Sequence, residues 1–231
     1  MIQTDPAFMA DSSFYGMLTA EERARLSHIQ AAARAYRPGY MLMIEGEQSL
    51  QVRVLLTGWA KATFVTAGGE EVVLRIYGPG DLFGGEAALG NLPRSETVTA
   101  LTSCNALVLS ARRFTDLLTR DPGVARAFNL AMLQRAQGAD EQIKLRHAPA
   151  AVRLARVLLD LARRAGTEAP DGITIPVDLS QGDLASWLGT SRSTVARMLH
   201  SLRDQGLIRT GYRSITITDP GQLRKTAHAT W

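Results

Sequence analysis

The sequence predicts an α+β protein: an all-β sandwich or barrel, then one long helix, then a winged helix-turn-helix. Three observations carry this. Between residues 36 and 110, short apolar runs alternate with glycine-bearing turns. From Asp121-Pro122 onward the apolar residues recur with helical spacing. Between 179 and 217, two short amphipathic helices flank a glycine and lead into a hairpin. The predicted domains are therefore 1–120, with helices before the strands, 121–148 as a dimerisation helix, and 149–231.

In chain order, the first ~35 residues read as helical and polar-rich, with Thr19 before Glu21 and Glu22 as a helix start. Val52–Leu56, Ala62–Val65, Val72–Ile76, Val98–Leu101 and Ala106–Leu109 read as strands. Gly68-Gly69 is a plausible hairpin turn between two of them. Arg112 to Leu118 reads as a short helix. Asp121 then suits an N-cap and Pro122 the first helical position.

The helix that follows, to about His147, carries small or apolar residues at 125, 132, 136, 139, 143 and 150, a narrow seam suited to one partner helix. Met132, Ala136, Ala139 and Ile143 are the candidate dimer contacts. Asn129 and Arg146 interrupt the seam, and Gly138 costs about 1 kcal/mol relative to alanine. A helix packed on its own domain is the alternative. Pro149 marks a hinge; Val152 to Ala165 is a strongly apolar helix, 166–172 a loop, and Ile173 to Val177 a short strand.

Charge narrows the function. Residues 1–149 hold 15 Lys/Arg against 15 Asp/Glu, whereas 150–231 hold 11 against 7, so the whole net charge of +4 lies in the last third. Arg192, Arg197, Arg203, Arg209 and Arg213 fall within 190–213 beside one acid, Asp204. A local basic stretch is the footprint of a polyanion partner, or else a solvated basic surface.

The segment Leu179 to Leu199 favours the first reading. Ser180 suits the N-cap of its first helix, with Asp183 in the first turn. Leu184, Trp187 and Leu188 give that helix an apolar face. Ala185 is small where two helices approach, and Gly189 can take a positive φ at the turn. Ser191 caps a second helix whose apolar face is Val195, Met198, Leu199 and Leu202. Its outward face offers Arg192, Ser193, Thr194 and Arg197 to base edges in a major groove. Ser180, Gln181, Thr190 and Ser191 are placed for phosphates or register. A β-hairpin turning at Gly211-Tyr212 follows, and its Arg209 and Arg213 can meet the backbone. Together these features point to double-stranded DNA.

Other chemistries find little support. No apolar run approaches the ~20 residues that span a bilayer. The N-terminus, with Asp5 and Asp11, lacks the basic start of a signal peptide. Cys104 is the single cysteine, too few for an iron–sulfur cluster, and reads as a buried thiol. The four histidines are dispersed without metal-ligand spacing, and neither a Walker loop nor a nucleophile elbow is present. No catalytic residues and no metal site are expected, and the lone cysteine fits a reducing cytoplasm.

Over residues 15–222 the sequence resembles the cyclic-AMP receptor/fumarate-nitrate regulator (CRP/FNR) family of bacterial transcription regulators. The resemblance rests on Glu45-Gly46-Glu47, Leu56 to Gly58, Gly78 to Asp81, Phe83 to Leu89 followed by Leu92 to Val98, Val157 to Ala162, and the winged motif. It implies a cyclic-nucleotide-binding-type β-roll (a jelly-roll), a dimerisation helix, and a homodimer reading a pseudo-palindromic operator under allosteric control. It also implies contact with RNA polymerase, for which the 166–172 loop is suitably placed. Phe83–Leu89 and Leu92–Val98 are similar to the family's phosphate-binding cassette. That implies an effector site of Gly85, Glu86, Ala87, Arg94 and Ser95, with Arg94 as the phosphate's partner. The alternative is a structural Arg94 paired with Glu86 or Glu96.

Two departures from the family disfavour cyclic AMP as the effector. Glu96 stands where a small alanine is usual, and Gly138 and Ala139 stand where the cyclic-AMP-binding members have Thr and Ser. Ser193 likewise replaces a base-reading glutamate, so a different operator is expected.

Overall fold

The computed structural model describes residues 12–28, 32–48 and 50–228. Its chain divides into two compact units, residues 1–137 and 138–231.

In the first unit, helix α1 (Ala20–His28) starts at Thr19 as its sequence suggests. Thr19 Oγ1 accepts from the Glu22 amide (3.2 Å) and the Glu22 carboxylate accepts from the Thr19 amide (2.7 Å), a reciprocal cap. The helical reading of the first ~35 residues fails at its end. Ala32–Tyr36 is strand β1, paired antiparallel with β8 (Cys104–Ser110) from Ala32↔Val108 to Tyr36↔Cys104. Its alanines prefer helix intrinsically, but a ladder against a central strand outweighs that preference. Residues 1–11 and 29–31 of the predicted stretch lie outside the described residues.

The remaining strands are β2 (Met41–Met43), β3 (Gln51–Thr57), β4 (Ala60–Val65), β5 (Glu71–Tyr77), β6 (Leu82–Phe83) and β7 (Thr97–Ala100). They form two four-stranded sheets, β1-β8-β3-β6 and β2-β7-β4-β5, whose neighbours, the β4–β5 hairpin apart, are not consecutive in sequence. The predicted turn at Gly68-Gly69 joins β4 to β5: the Thr66 amide donates to Glu70 O (2.9 Å) and Gly69 takes φ 81°. Strand parity sorts the core. Val52, Val54 and Leu56 on β3 pack with Phe14, Leu109, Phe114 and Phe128. Leu55, on the opposite face of the same strand, packs with Tyr77, Phe83 and Val98.

Helix α2 (Gly85–Gly90), which was not anticipated, follows β6, and α3 (Ala111–Arg120) follows β8. Helix α4 (Pro122–Leu145) begins as predicted: Asp121 Oδ1 accepts from the Gly123 and Val124 amides (3.1 and 3.3 Å), with Pro122 at the first position. Its early residues Val124, Ala127 and Phe128 are buried in the β-roll core, with Ala131 and Met132 against them. This corrects one seam residue. Met132 completes an i, i+3, i+4, i+7, i+8 face directed into its own unit, and Leu133 is the outward residue, 60% exposed. Ala136, Ala139 and Ile143 are exposed. Ala150 is not on this helix at all, because it opens α5.

The second unit comprises α5 (Ala150–Ala165), β9 (Thr167–Ala169), β10 (Gly172–Ile175), α6 (Gln181–Leu188), α7 (Arg192–Asp204), β11 (Ile208–Gly211), β12 (Ser214–Ile217) and α8 (Pro220–Ala227). Its sheet has the order β11-β12-β10-β9. The segment expected as a loop, 166–172, is instead half of a β9–β10 hairpin, in register from Thr167↔Thr174 to Gly172↔Ala169. Its acidic, proline-bearing composition hid the strand, and pairing with β10 supplies the ladder. Helix α5 buries Leu154, Ala155, Leu158 and Leu161. Helix α8 packs beside it, with Arg156 Nε donating to Ala227 O (2.9 Å).

Candidate nucleic-acid interface and effector cassette

Helix α6 is anchored by Ser180. Its hydroxyl accepts from the Asp183 amide (3.0 Å), and Asp183 Oδ2 accepts from the Ser180 amide (3.0 Å) and hydroxyl (2.6 Å). This reciprocal cap fixes where α6 starts. Leu184, Ala185 and Leu188 are buried, and Gly189 ends the helix at φ 59°, a conformation that costs glycine little. Helix α7 restarts at once, with Ser191 Oγ accepting from the Thr194 amide (3.1 Å). Val195, Leu199 and Leu202 are buried beneath it, each stabilising the packing by roughly 1.5–3 kcal/mol.

With that face inward, Arg192, Ser193 and Arg197 are exposed on the other side, and Thr194 is half-buried between the faces. Arg192 has no side-chain hydrogen bond or ion pair among the described residues, and Arg197 has only a long contact to Thr194 Oγ1 (3.4 Å). Two guanidiniums five residues apart, about 1.4 helical turns, are thus presented to solvent nearly unengaged. Gln181 is exposed at the start of α6, and Thr190 is half-buried. Ser180 and Ser191 also lie on this side, but their hydroxyls serve first as caps.

The wing is the β11–β12 hairpin. Its turn sits one residue later than expected: Gly211 pairs with Ser214, and Arg213, at φ 54°, is central with Tyr212. Arg213 lies over the Tyr212 ring (5.3 Å) and pairs with Asp178 (3.0 Å). Arg209 pairs with Asp171.

In the β-roll, Gly84 takes φ 78° before α2, which carries Gly85, Glu86 and Ala87. Gly85 is glycine for space: a Cβ there would lie 2.9 Å from both Leu82 and Phe128. Arg94 is 2% exposed. Its Nη1 donates to Gly84 O (2.6 Å) and its Nη2 to Gln51 O, so both arms of the fork hold backbone carbonyls. Burial, with Arg53 nearby, lowers its pKa. Ser95 is exposed. The alternative pairing of Arg94 with Glu86 or Glu96 does not form either. Those carboxylates belong to Arg135 of α4, at 2.7 Å from Glu86 and 3.2 Å from Glu96.

Glu96 is 1% exposed and points inward. Besides Arg135 it accepts from the Tyr77 hydroxyl (2.6 Å) and faces Arg75 (3.8 Å). Burial raises its pKa and raises that of Tyr77 further. Sequence reasoning missed Arg75, Tyr77 and Arg135. Arg135 had a legible signal. It continues the inward face of α4 at four residues past Ala131 and seven past Phe128, and a charge on such a face requires a buried partner.

Cys104 is buried, accepted by the carbonyls of Trp59 and Thr102, and burial raises its pKa. Among the described residues no group of three or more His, Cys, Asp and Glu side chains is placed to hold a metal ion, and no helix is long and apolar enough to cross a membrane.

Comparison with known proteins places both units. Residues 33–121 match the cyclic nucleotide-binding domain and residues 152–226 the Crp-like helix-turn-helix domain. The chain is 32% identical over 191 residues to a probable transcriptional regulator, flp, of Lacticaseibacillus casei, covering 80% of this chain and 83% of that protein. The chain belongs to the CRP/FNR family of transcription regulators.

This family member is also 28% identical over 215 residues to the cyclic AMP receptor protein of Thermus thermophilus, covering 93% and 95% of the two chains. Among solved structures, FixK2 from Bradyrhizobium japonicum shares the fold at a TM-score of 0.76 with 22% identity, covering 87% and 99%. The α6–α7 pair is accordingly the helix-turn-helix of a DNA-binding regulator. The CRP/FNR-type cassette of the β-roll is held by internal contacts. Both Arg94 arms hold carbonyls, and a buried carboxylate, Glu96, faces the nearby cations.

Proposed function

We propose that the protein acts in the cytoplasm as a homodimer that reads a pseudo-palindromic operator with α7 and touches RNA polymerase when it regulates transcription. The observation that carries the operator reading is the state of Arg192 and Arg197. They are exposed, five residues apart on α7, and among the described residues neither is paired with an acid. Either can bond bidentately to guanine O6 and N7, while Ser193 and Thr194 read neighbouring edges. Ser180, Gln181, Ser191 and Arg213 set the register on phosphates. The dimer reading is supported by Leu133, Ala136, Ala139 and Ile143, exposed along the last three turns of α4. Two copies of α7 would then meet half-sites about one DNA turn apart.

The β-roll modulates operator binding in this reading. The inward Glu96 favours a regulator that either needs no effector or senses something other than a cyclic nucleotide. The operator reading is tested by Arg192→Ala and Arg197→Ala in fluorescence anisotropy against operator fragments selected from genomic DNA. Each is expected to weaken binding by about 1–3 kcal/mol with an unchanged circular dichroism spectrum. Undiminished binding by the double variant would remove α7 from the interface.

A further inference from the structure

We propose that Glu96 sets what the β-roll accepts: it is a built-in anion that engages the pocket's available cations and closes the pocket to cyclic nucleotides. This rests on reading residues 33–121 as the effector domain.

The argument is an account of charge. Four guanidiniums converge on this region: Arg53 of β3, Arg75 of β5, Arg94 before β7 and Arg135 of α4. Arg94 is buried and holds the carbonyls of Gly84 and Gln51. Arg53 donates to the Gln51 side chain (2.9 Å). The remaining two both face Glu96, Arg135 at 3.2 Å and Arg75 at 3.8 Å. Glu86 takes the other arm of Arg135 at 2.7 Å.

An incoming phosphodiester would therefore find Arg135 and Arg75 already facing the buried Glu96, with Glu86 beside Arg135. Like charges brought together at a desolvated site repel one another, so entry is opposed. Nor can Glu96 simply step aside. It is 1% exposed, and leaving Arg135, Arg75 and the Tyr77 hydroxyl would strand a carboxylate in the core. The same contacts join the residue just before β7 to β5 and α4, so the side chain also ties α4 to the roll without a ligand. Residue 96 thus supplies this bridge from within the chain.

The test is calorimetric titration of the full chain with cyclic AMP, cyclic GMP and cyclic di-GMP, in the native protein and in the Glu96→Ala and Glu96→Gln variants. Glu96→Gln keeps the side chain's volume and its Tyr77 contact while removing the charge, which guards against a cavity or misfolding in the alanine variant. Melting by circular dichroism establishes that each is folded. The native chain should give no binding heat, and a variant should bind at least one of the nucleotides, about tenfold or more above the native limit. Native binding as tight as that of the variants would overturn the proposal, and so would silence from both folded variants. Anisotropy with operator DNA and no nucleotide is run in parallel. Undiminished DNA binding by the Arg192→Ala, Arg197→Ala double variant there speaks against the operator reading and leaves the titration result standing on its own.

Discussion

The arginines of the two units behave as different residues. In the DNA-binding unit, Arg192 and Arg197 stand exposed at the start of α7, held by the helix backbone and almost nothing else. In the β-roll, Arg94 and Arg135 are enclosed and engaged, one by two carbonyls and the other by two carboxylates. An exposed guanidinium keeps its hydrogen-bonding capacity for a partner and adds little to stability. A buried one must be satisfied internally and becomes part of the framework. The wing lies between these extremes, since Arg209 and Arg213 are exposed yet paired with Asp171 and Asp178. A basic residue is thus a candidate ligand contact to the extent that the fold leaves it unpaired.

The sharpest way to break this comparison is to remove one arginine from each class. Arg94→Ala strands two carbonyls in the core and should cost about 2–5 kcal/mol in urea denaturation. Arg192→Ala should stay within about 0.5 kcal/mol of the native stability while losing operator affinity. Equal stability effects would erase the distinction.

A smaller effect is expected at the wing. Arg213→Gly removes the charge while suiting the φ of 54°, so the fold should persist. The slope of log binding constant against log salt should become shallower by about 0.9 for one lost phosphate contact. An unchanged slope would mean that Asp178, not DNA, is the partner of Arg213.

The smallest effects separate two carboxylates of the β-roll unit by the sign of their pH dependence. At Asp121 burial opposes ionisation, but the Arg25 hydrogen bond (2.6 Å) and the Val124 and Gly123 amides outweigh it and lower the pKa. Its contribution is present above the unfolded-state pKa and is lost as pH falls through the folded value. At Glu96 burial prevails and the pKa is raised. Its contribution is complete below the unfolded-state pKa and is lost as pH rises through the folded value. Thermal melts across pH should therefore show Asp121→Asn losing less stability on acidification than the native chain. Glu96→Gln should gain on the native chain as pH rises. Parallel curves for all three proteins would mean that neither carboxylate is held as the structure indicates.

Much of the architecture was legible because it is written in local rules. The Asp121-Pro122 start of α4, the Ser180 and Ser191 caps, Gly189 at the turn and the Gly68-Gly69 hairpin each depend on neighbours within a few residues. Helix α8 carried the same Asp-Pro signal at Asp219-Pro220 and was legible but unread. Strand β1 was not, because its alanines become a strand only against β8, seventy residues away. The site divides in the same way. The exposed face of α7 follows from helical periodicity, since burying Val195, Leu199 and Leu202 forces Arg192 and Arg197 outward.

By itself, then, the sequence determined the order of elements, the helix-turn-helix and the side chains it offers to DNA, since hydrophobic period, caps and turn chemistry act over short stretches of chain. Only the tertiary structure decided that Met132 turns into the roll and Leu133 out, that Arg94 holds Gly84 and Gln51, and that Arg135 reaches Glu86 and Glu96. Those outcomes depend on which distant groups desolvate one another, and charge pairing in a core is settled by three-dimensional proximity, which no local pattern encodes.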